Sequence, residues 1–436
     1  MNGELTLTGR LISLWDHLGL KTAHVATQMP GDIAGFAAAH PGRIAGLMLC
    51  VPSRLDPTPF AAVASRIVMI SGERGMSEEV TGRAQPRLPG SQRIILPQYD
   101  APGWADVIAD RTETIAEALR ALPGEASVPG LKAGAGLHAG ITWQVHGKGP
   151  ALVLLPFFLA PSQWEAAIPD LARHFTVIVL GGRHLGGVAA LEDRAAGPSY
   201  AGMIQGLFDV IAPAPGETIL DVGCGSGALD RLVARRFGEA NPITATDVNP
   251  FLLREAAVLA AEEGHEDRIT FREGNAERLP FPDASFNHAF TVTVLEECDA
   301  DLALRELLRV VKPGGRVGVI VRAIDMPQWW HLALPDPIRR KAEIPPQSNG
   351  PRGVADASLY RRMRAAGFEA VTGFPALVTF DRPDGPIWRY REDHVLSQLT
   401  EDETSVWRAA TLAARDDGLL FMANPLHRAV GKKPAA

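Results

Sequence analysis

Only three cysteines occur in 436 residues, Cys50, Cys224 and Cys298. They stand far apart in apolar or glycine-rich surroundings, which excludes a disulfide framework and a cysteine-held metal and fits a reducing, cytoplasmic setting. No long basic run is present and the net charge is −7, so the electrostatic footprint of a nucleic-acid binder is missing. The first residues, Met1-Asn2-Gly3-Glu4-Leu5, show no basic segment leading into an apolar one. The most apolar run, Ala151 to Ala160, is too short to span a bilayer. No internal repeat or metal-ligand spacing appears. The expectation is a soluble, unexported protein without a metal, a nucleic-acid partner or a membrane partner. An apolar content of 46 % and a charged content of 21 % are those of an ordinary globular chain. Its length gives a soft prior of about three domains.

What is present is organised around Ile219-Leu220-Asp221-Val222-Gly223-Cys224-Gly225-Ser226-Gly227-Ala228. An apolar lead-in, an acid and three glycines at alternate positions, followed by a helical pattern from about Leu229, read as a buried strand breaking sharply into a helix. Glycines at 223, 225 and 227 let the backbone take conformations closed to other residues, beside a helix N-terminus with free N–H groups. Taken alone, the triplet also fits a plain tight turn, and Gly223, Gly225 and Ala228 fit the dinucleotide fingerprint G-x-G-x-x-G/A.

Three further stretches decide between these readings. Ile243-Thr244-Ala245-Thr246-Asp247 is a strand ending in an acid. Gly274-Asn275-Ala276-Glu277-Arg278-Leu279-Pro280-Phe281-Pro282 follows as a loop, then a strand from Phe286 to Leu295. Leu307 to Val317, containing Lys312-Pro313-Gly314-Gly315, is a helix–PGG–strand passage. Together with Asp221, placed two residues before the first glycine, these resemble, in order, the motifs of class I S-adenosylmethionine (SAM)-dependent methyltransferases, in the type 11 small-molecule branch. The resemblance covers roughly residues 199–433 and departs from the family at Asn275, where Asp is usual.

It implies SAM as cofactor, with Asp221 organising the cationic methionine end through the turn. Gly223, Gly225 and Gly227 would admit the cofactor to the backbone, Asp247 would accept from the ribose hydroxyls, and Asn275 and Ala276 would flank adenine. Thr291, placed just past its strand, would lie under the transferring methyl. The helix Tyr200–Ile211 would lie against the pocket, and the proline-broken stretch 324–352, with Trp329-Trp330-His331, would cover the acceptor. Methyl transfer from a sulfonium asks the protein for alignment and exclusion of water. Candidate bases are His331, whose unperturbed pKa is about 6.5, and Glu296, which with Glu297 is expected to open a helix after the strand. Each has a plainer alternative: packing beside two tryptophans for His331, favouring a helix N-terminus for Glu296. Cys224 reads as a small buried filler. With no Asn-Pro-Pro-Tyr after the fourth strand, a small-molecule acceptor is expected.

Residues 1–190 read as a second α/β domain. Strand-like runs at 23–27, 44–51, 66–71 and 93–97 alternate with helical ones, as in half of a doubly wound sheet. A Gly/Ala/Pro-rich stretch, 123–140, reads as a linker. Strands at 141–147, 151–155 and 176–180 follow. The portion 1–124 resembles the C-terminal half of an α/β-hydrolase and 141–183 its N-terminal half, in reversed order. The hydrolase chemistry is absent: Gln28 stands at the nucleophile position, Ala26 and Pro30 replace the flanking glycines, and Gly75 falls where the acid is often found. Tyr99-Asp100-Ala101-Pro102 replaces the Gly-His, and Pro156-Phe157 the oxyanion His-Gly. The order suggests a circular permutation, which would place 151–155 parallel to and beside 23–27; fused remnants of two hydrolase domains are the alternative.

The fold class expected is therefore α/β, two doubly wound sheet domains, one hydrolase-like over 1–190 and one Rossmann-like methyltransferase over 199–436. A nicotinamide-dependent oxidoreductase and a non-catalytic ligand-binding sensor or adaptor are the competing functions.

Overall fold

The structure is a computed structural model that describes residues 5–100, 106–158, 160–347, 349–383 and 385–435. The chain divides into two compact units, Met1–Ala189 and Ala190–Ala436, and both are α/β.

The first unit holds β1 (Ala23–Thr27), β2 (Ile44–Cys50), β3 (Ile67–Gly72), β4 (Gln92–Leu96), β5 (Gly134–His138), β6 (Ile141–His146), β7 (Ala151–Leu154) and β8 (Thr176–Gly181). They form one sheet in the order β4-β3-β2-β1-β7-β8-β6-β5. Every residue of β1, β2, β3, β7 and β8 is buried, as expected of central strands covered on both faces. Side-chain alternation divides them between two cores: Val25, Leu47 and Val153 pack on one face, Ala26, Met48 and Leu154 on the other. β1 and β7 are direct parallel neighbours, His24 opposite Leu152 and Ala26 opposite Leu154, the adjacency expected above.

The 123–140 stretch is more ordered than a linker. Ser127 exchanges hydrogen bonds with Thr22 and accepts from Ala151 N at 2.8 Å, and β5 pairs antiparallel with β6. Its glycines hid the strand: with Gly134 and Gly136 in place of side chains, alternation cannot be read. Before it, the chain forms two short helices, Val107–Asp110 and Thr112–Arg120.

The second unit holds β9 (Ile219–Val222), β10 (Ile243–Asp247), β11 (Ile269–Glu273), β12 (Phe286–Val292), β13 (Val311–Arg322), β14 (Trp329–Trp330), β15 (Glu369–Gly373), β16 (Ala376–Phe380) and β17 (Met422–Lys432). Their order is β11-β10-β9-β12-β13-β17-β14, with β15 and β16 also paired to β17. β9 to β13 are parallel and β17 antiparallel. From β9 the chain first builds outward through β10 and β11, then returns to β12 on the other side. That reversal is a topological switch point, where open α/β sheets form a crevice beyond the carboxyl ends of the strands. Asp221 and the glycine turn lie there.

Candidate functional site

Local chemistry makes the turn after β9. Gly223, Gly225 and Gly227 have φ of 86°, 56° and 70°, the left-handed region that favours glycine. Gly223 N and Cys224 N both donate to Thr246 O, at 2.7 and 2.9 Å, which ties the turn to the end of β10. The helix Ala228–Phe237 starts directly behind it. The three glycines serve different ends. A Cβ on Gly227 would meet Phe271 of β11 and Ala256 at 3.0 and 3.2 Å, so the absence of a side chain here also makes room for that packing. A Cβ on Gly225 would stand 2.9 Å from Leu191, and one on Gly223 2.1 Å from Val294. Gly223→Ala is therefore expected to combine left-handed strain with overpacking, costing about 1–3 kcal/mol; a thermal midpoint equal to wild type would refute this packing.

Asp247 ends β10 with its carboxylate already engaged: Oδ2 accepts from Gly225 N and Oδ1 from Asn249 N, both at 2.9 Å. Burial still raises its pKa, with those N–H groups opposing. Asp221, 2 % exposed, has its pKa raised well above the carboxylate range by burial and then by Asp230 and Asp247. Cys224 is buried and its thiol is pushed up by desolvation, which keeps it protonated, as a filler should be.

Thr291 lies inside β12, not past it, fully buried and donating to Val222 O at 2.7 Å. Its hydroxyl ties two strands together, which corrects its expected place under the methyl; Thr293, at φ 56°, is the residue beyond the strand. Asn275 Oδ1 accepts from Glu277 N at 2.8 Å, shaping the loop, and Ala276 is buried against Leu220 and Val222 in one cluster.

The two candidate bases separate. Glu296 is fully buried in a turn, and the helix it was expected to open starts only at Ala300, capped by Asp299. One oxygen accepts from Arg322 N at 2.7 Å; the other, Oε2, is buried without a partner. Desolvation pushes its pKa up to about 7. His331 stacks on Phe421 at 4.8 Å and its Nδ1 meets Leu419 O at 2.8 Å. It borders the cluster of Trp330, Trp388 and Trp407, contacts that fit the packing alternative.

Four further residues near the turn were not singled out in the sequence, although the helix beginning at Tyr200 was expected against the pocket. Tyr200, from the helix Pro198–Ile211, is 2 % exposed, its hydroxyl has no partner, and it feels both Glu296 and Asp221. Arg194 stacks over Tyr200 at 5.1 Å, donates to Thr293 Oγ1 at 3.1 Å, and keeps a buried Nε without a partner. Glu192 accepts from Ser226 Oγ at 2.7 Å and pairs with Arg231 at 2.5 Å, bracing the turn from behind. Asp230 is fully buried and no donor reaches either oxygen. Among the described residues, Tyr200 Oη, Arg194 Nε, Glu296 Oε2 and Asp230 Oδ1 and Oδ2 are buried without a hydrogen-bond partner. Buried polar atoms are rarely left so in a finished structure.

The strand order, the switch-point turn and the acids around it resemble those of a class I SAM-dependent methyltransferase domain. Residues 219–315 match the family model described as a methyltransferase domain. Over 106 residues the chain is 37% identical to the ubiquinone/menaquinone biosynthesis C-methyltransferase UbiE of Hahella chejuensis, covering 24% of this chain and 43% of that one. With the UbiE of Vibrio cholerae it shares 35% over 115 residues, covering 26% and 44%. The chain thus spans less than half the length of these relatives. Similar solved structures include a methyltransferase from Bacillus halodurans, titled putative, with a TM-score of 0.35, 18% identity, 53% of this chain and 98% of that one. Another is the geranyl diphosphate C-methyltransferase of Streptomyces coelicolor A3(2), with a TM-score of 0.33, 18% identity, 54% and 76%.

Proposed function

We propose that this chain transfers the methyl group of SAM to a small-molecule acceptor. The observation that supports this reading is the switch-point glycine turn after β9, held to Asp247 through Gly225 N, within the residues that match the methyltransferase family model. Asp221 would face the methionine end, Asp247 the ribose, and Asn275 and Ala276 the adenine. The cofactor, when bound, supplies an electrophilic methyl group. The protein's part is alignment, exclusion of water and disposal of any proton the acceptor loses. Glu296 is the group suited to the last task, because its Oε2 is free and its proton affinity sits near neutrality. The matched residues 219–315 leave 324–421 outside them, so the acceptor is assigned only by class. The experiment is conversion of SAM to S-adenosylhomocysteine by the full chain supplied with small-molecule fractions of cell extract; SAM binding without turnover on any fraction would favour the sensor reading.

For the first unit we infer a permuted, catalytically silent hydrolase-like fold. Counted from β5, its strand order reads 1-2-4-3-5-6-7-8, and β6 runs antiparallel to both neighbours. This supports a single sheet whose two halves have exchanged sequence order. At the nucleophile position Gln28 is 3 % exposed and outside the left-handed region, so no strained elbow is present. Its Oε1 accepts the Phe158 N–H at 2.9 Å, filling with an amide the place where an oxyanion donor would act. Glu73, two residues before Gly75, accepts from Gln98 N through Oε2 at 2.8 Å, and Tyr99 is buried; Ala101 and Pro102 lie outside the described residues. The chain is expected to show no saturable hydrolysis of an activated ester, and Gln28→Ser is expected to add none, since a hydroxyl without its base stays protonated. Hydrolysis abolished by Gln28→Ala would refute this reading.

A further inference from the structure

We propose that Arg194 and Tyr200 form a carboxylate-binding pair and take the carboxylate of the cofactor's methionine end, complementing Asp221, which would face the ammonium. The proposal rests on the methyltransferase reading of the site and adds to it two residues that lie outside the matched span 219–315.

Contacts on both sides of the switch-point crevice place the pair. Three residues before Arg194 on the helix Gly186–Ala196, and so on the same face, Leu191 lies against the glycine turn, 2.9 Å from where a Cβ on Gly225 would stand. Arg194 itself reaches the end of β12. Its Nη1 donates to Thr293 Oγ1 at 3.1 Å, and the next residue, Val294, is the one a Cβ on Gly223 would strike. β9 and β12 are sheet neighbours, so both contacts lie at the carboxyl ends of adjoining strands. The Tyr200 ring centroid lies 5.1 Å from the guanidinium carbon of Arg194. Tyr200 also shares one packed cluster with Cys224 of the turn and Val292 of β12.

What the pair leaves unused is a set of donors. Nη1 is taken by Thr293, and Nε is buried with no partner. No carboxylate among the described residues pairs with Arg194: its sequence neighbours Glu192 and Asp193 pair instead with Arg231 at 2.5 Å and Arg382 at 3.1 Å. The Tyr200 hydroxyl is likewise buried and unpartnered, and burial raises its pKa, so it keeps its proton and donates. Glu296 Oε2 has no partner either, so neither donor bonds to it. A guanidinium edge carrying Nε–H, with a phenol donor from the ring it stacks over, is matched by a charged acceptor with two oxygens, and a planar carboxylate meets that edge side-on. The other arginines about the turn are committed: Arg231 to Glu192 and to Ser226 O at 2.8 Å, Arg322 to Glu297 at 2.7 Å. SAM has a single carboxylate, at its amino-acid end, and Arg194 is the cation left to take it.

The test is calorimetric titration of the full chain with SAM and with decarboxylated SAM, which keeps the ammonium, sulfonium, ribose and adenine. The wild type is expected to bind decarboxylated SAM about 10–10²-fold more weakly, the loss of hydrogen bonds to a charged group. Arg194→Gln is expected to weaken SAM by a similar factor and to leave decarboxylated SAM unchanged. Tyr200→Phe, which keeps the ring beneath the guanidinium, is expected to weaken SAM alone, by about tenfold. Equal affinity of the wild type for the two ligands, or an equal effect of Arg194→Gln on both, overturns the proposal and leaves the methyltransferase reading standing. Failure of the wild type to bind either ligand overturns both. If Arg194→Gln does not fold, Tyr200→Phe decides beside the wild type: an equal effect on the two ligands overturns the proposal.

Discussion

Replacing Asp247 by alanine is expected to weaken SAM binding by about 10–10²-fold and also to lower the thermal midpoint of the protein without ligand. Two losses combine. The ribose hydroxyls lose a charged acceptor, worth about 1.5–3 kcal/mol, and the Gly225 N–H, held by Oδ2 at 2.9 Å, is left without its partner, at about 1–3 kcal/mol. From the sequence, a strand-end acid reads as removable without harm to the fold; in the structure both of its oxygens hold backbone, so the turn moves with it. Asp247→Asn, which keeps one acceptor oxygen, should fall between wild type and alanine. Calorimetry and thermal melts on the three proteins check this, and an alanine variant with unchanged affinity would remove Asp247 from the site.

Glu296→Gln is expected to lower kcat by about 10²–10⁴ for an acceptor that must lose a proton, the span typical of general acid–base catalysis. The pH dependence follows from the direction of its shift. Burial raises the Glu296 pKa to about 7, so the ionised base is lost as pH falls through neutrality. Wild-type kcat should decline on that side, and the glutamine variant should show a flat acid limb. The same shift acts on stability: the neutral form is favoured in the fold, so this carboxyl stabilises below its unfolded pKa and that contribution is lost as pH rises through about 7. A parallel decline in both proteins would assign the acid limb to another group.

The parts of this molecule legible in sequence are those with local causes. The central strands of both sheets were readable as short apolar runs between breakers, because buried parallel strands carry apolar residues on both faces. The glycine turn and Asp247 were readable because positive φ and a strand-end acid leave a residue-level mark. β5 was hidden by its glycines, and the helix Gly186–Ala196 by a polar sequence that reads as loop. With that helix went Glu192 and Arg194, and no signal short of three-dimensional contact ties them to Ser226, Arg231 and Thr293. Asp230 had a signal of a different meaning: an acid in the first turn of a helix ordinarily serves the dipole, and only the structure shows it fully buried. His331 was chosen for its titration range and its aromatic neighbours, which prove to be its packing.

The most direct measurement of the central claim is parallel calorimetry of the full chain with SAM and with NAD. The account predicts a saturable, one-to-one heat with SAM, abolished or strongly weakened by Asp247→Ala, and no saturable heat with NAD. Saturable binding of NAD that depends on Asp247, with none for SAM, would contradict it and assign the glycine turn to a nicotinamide cofactor.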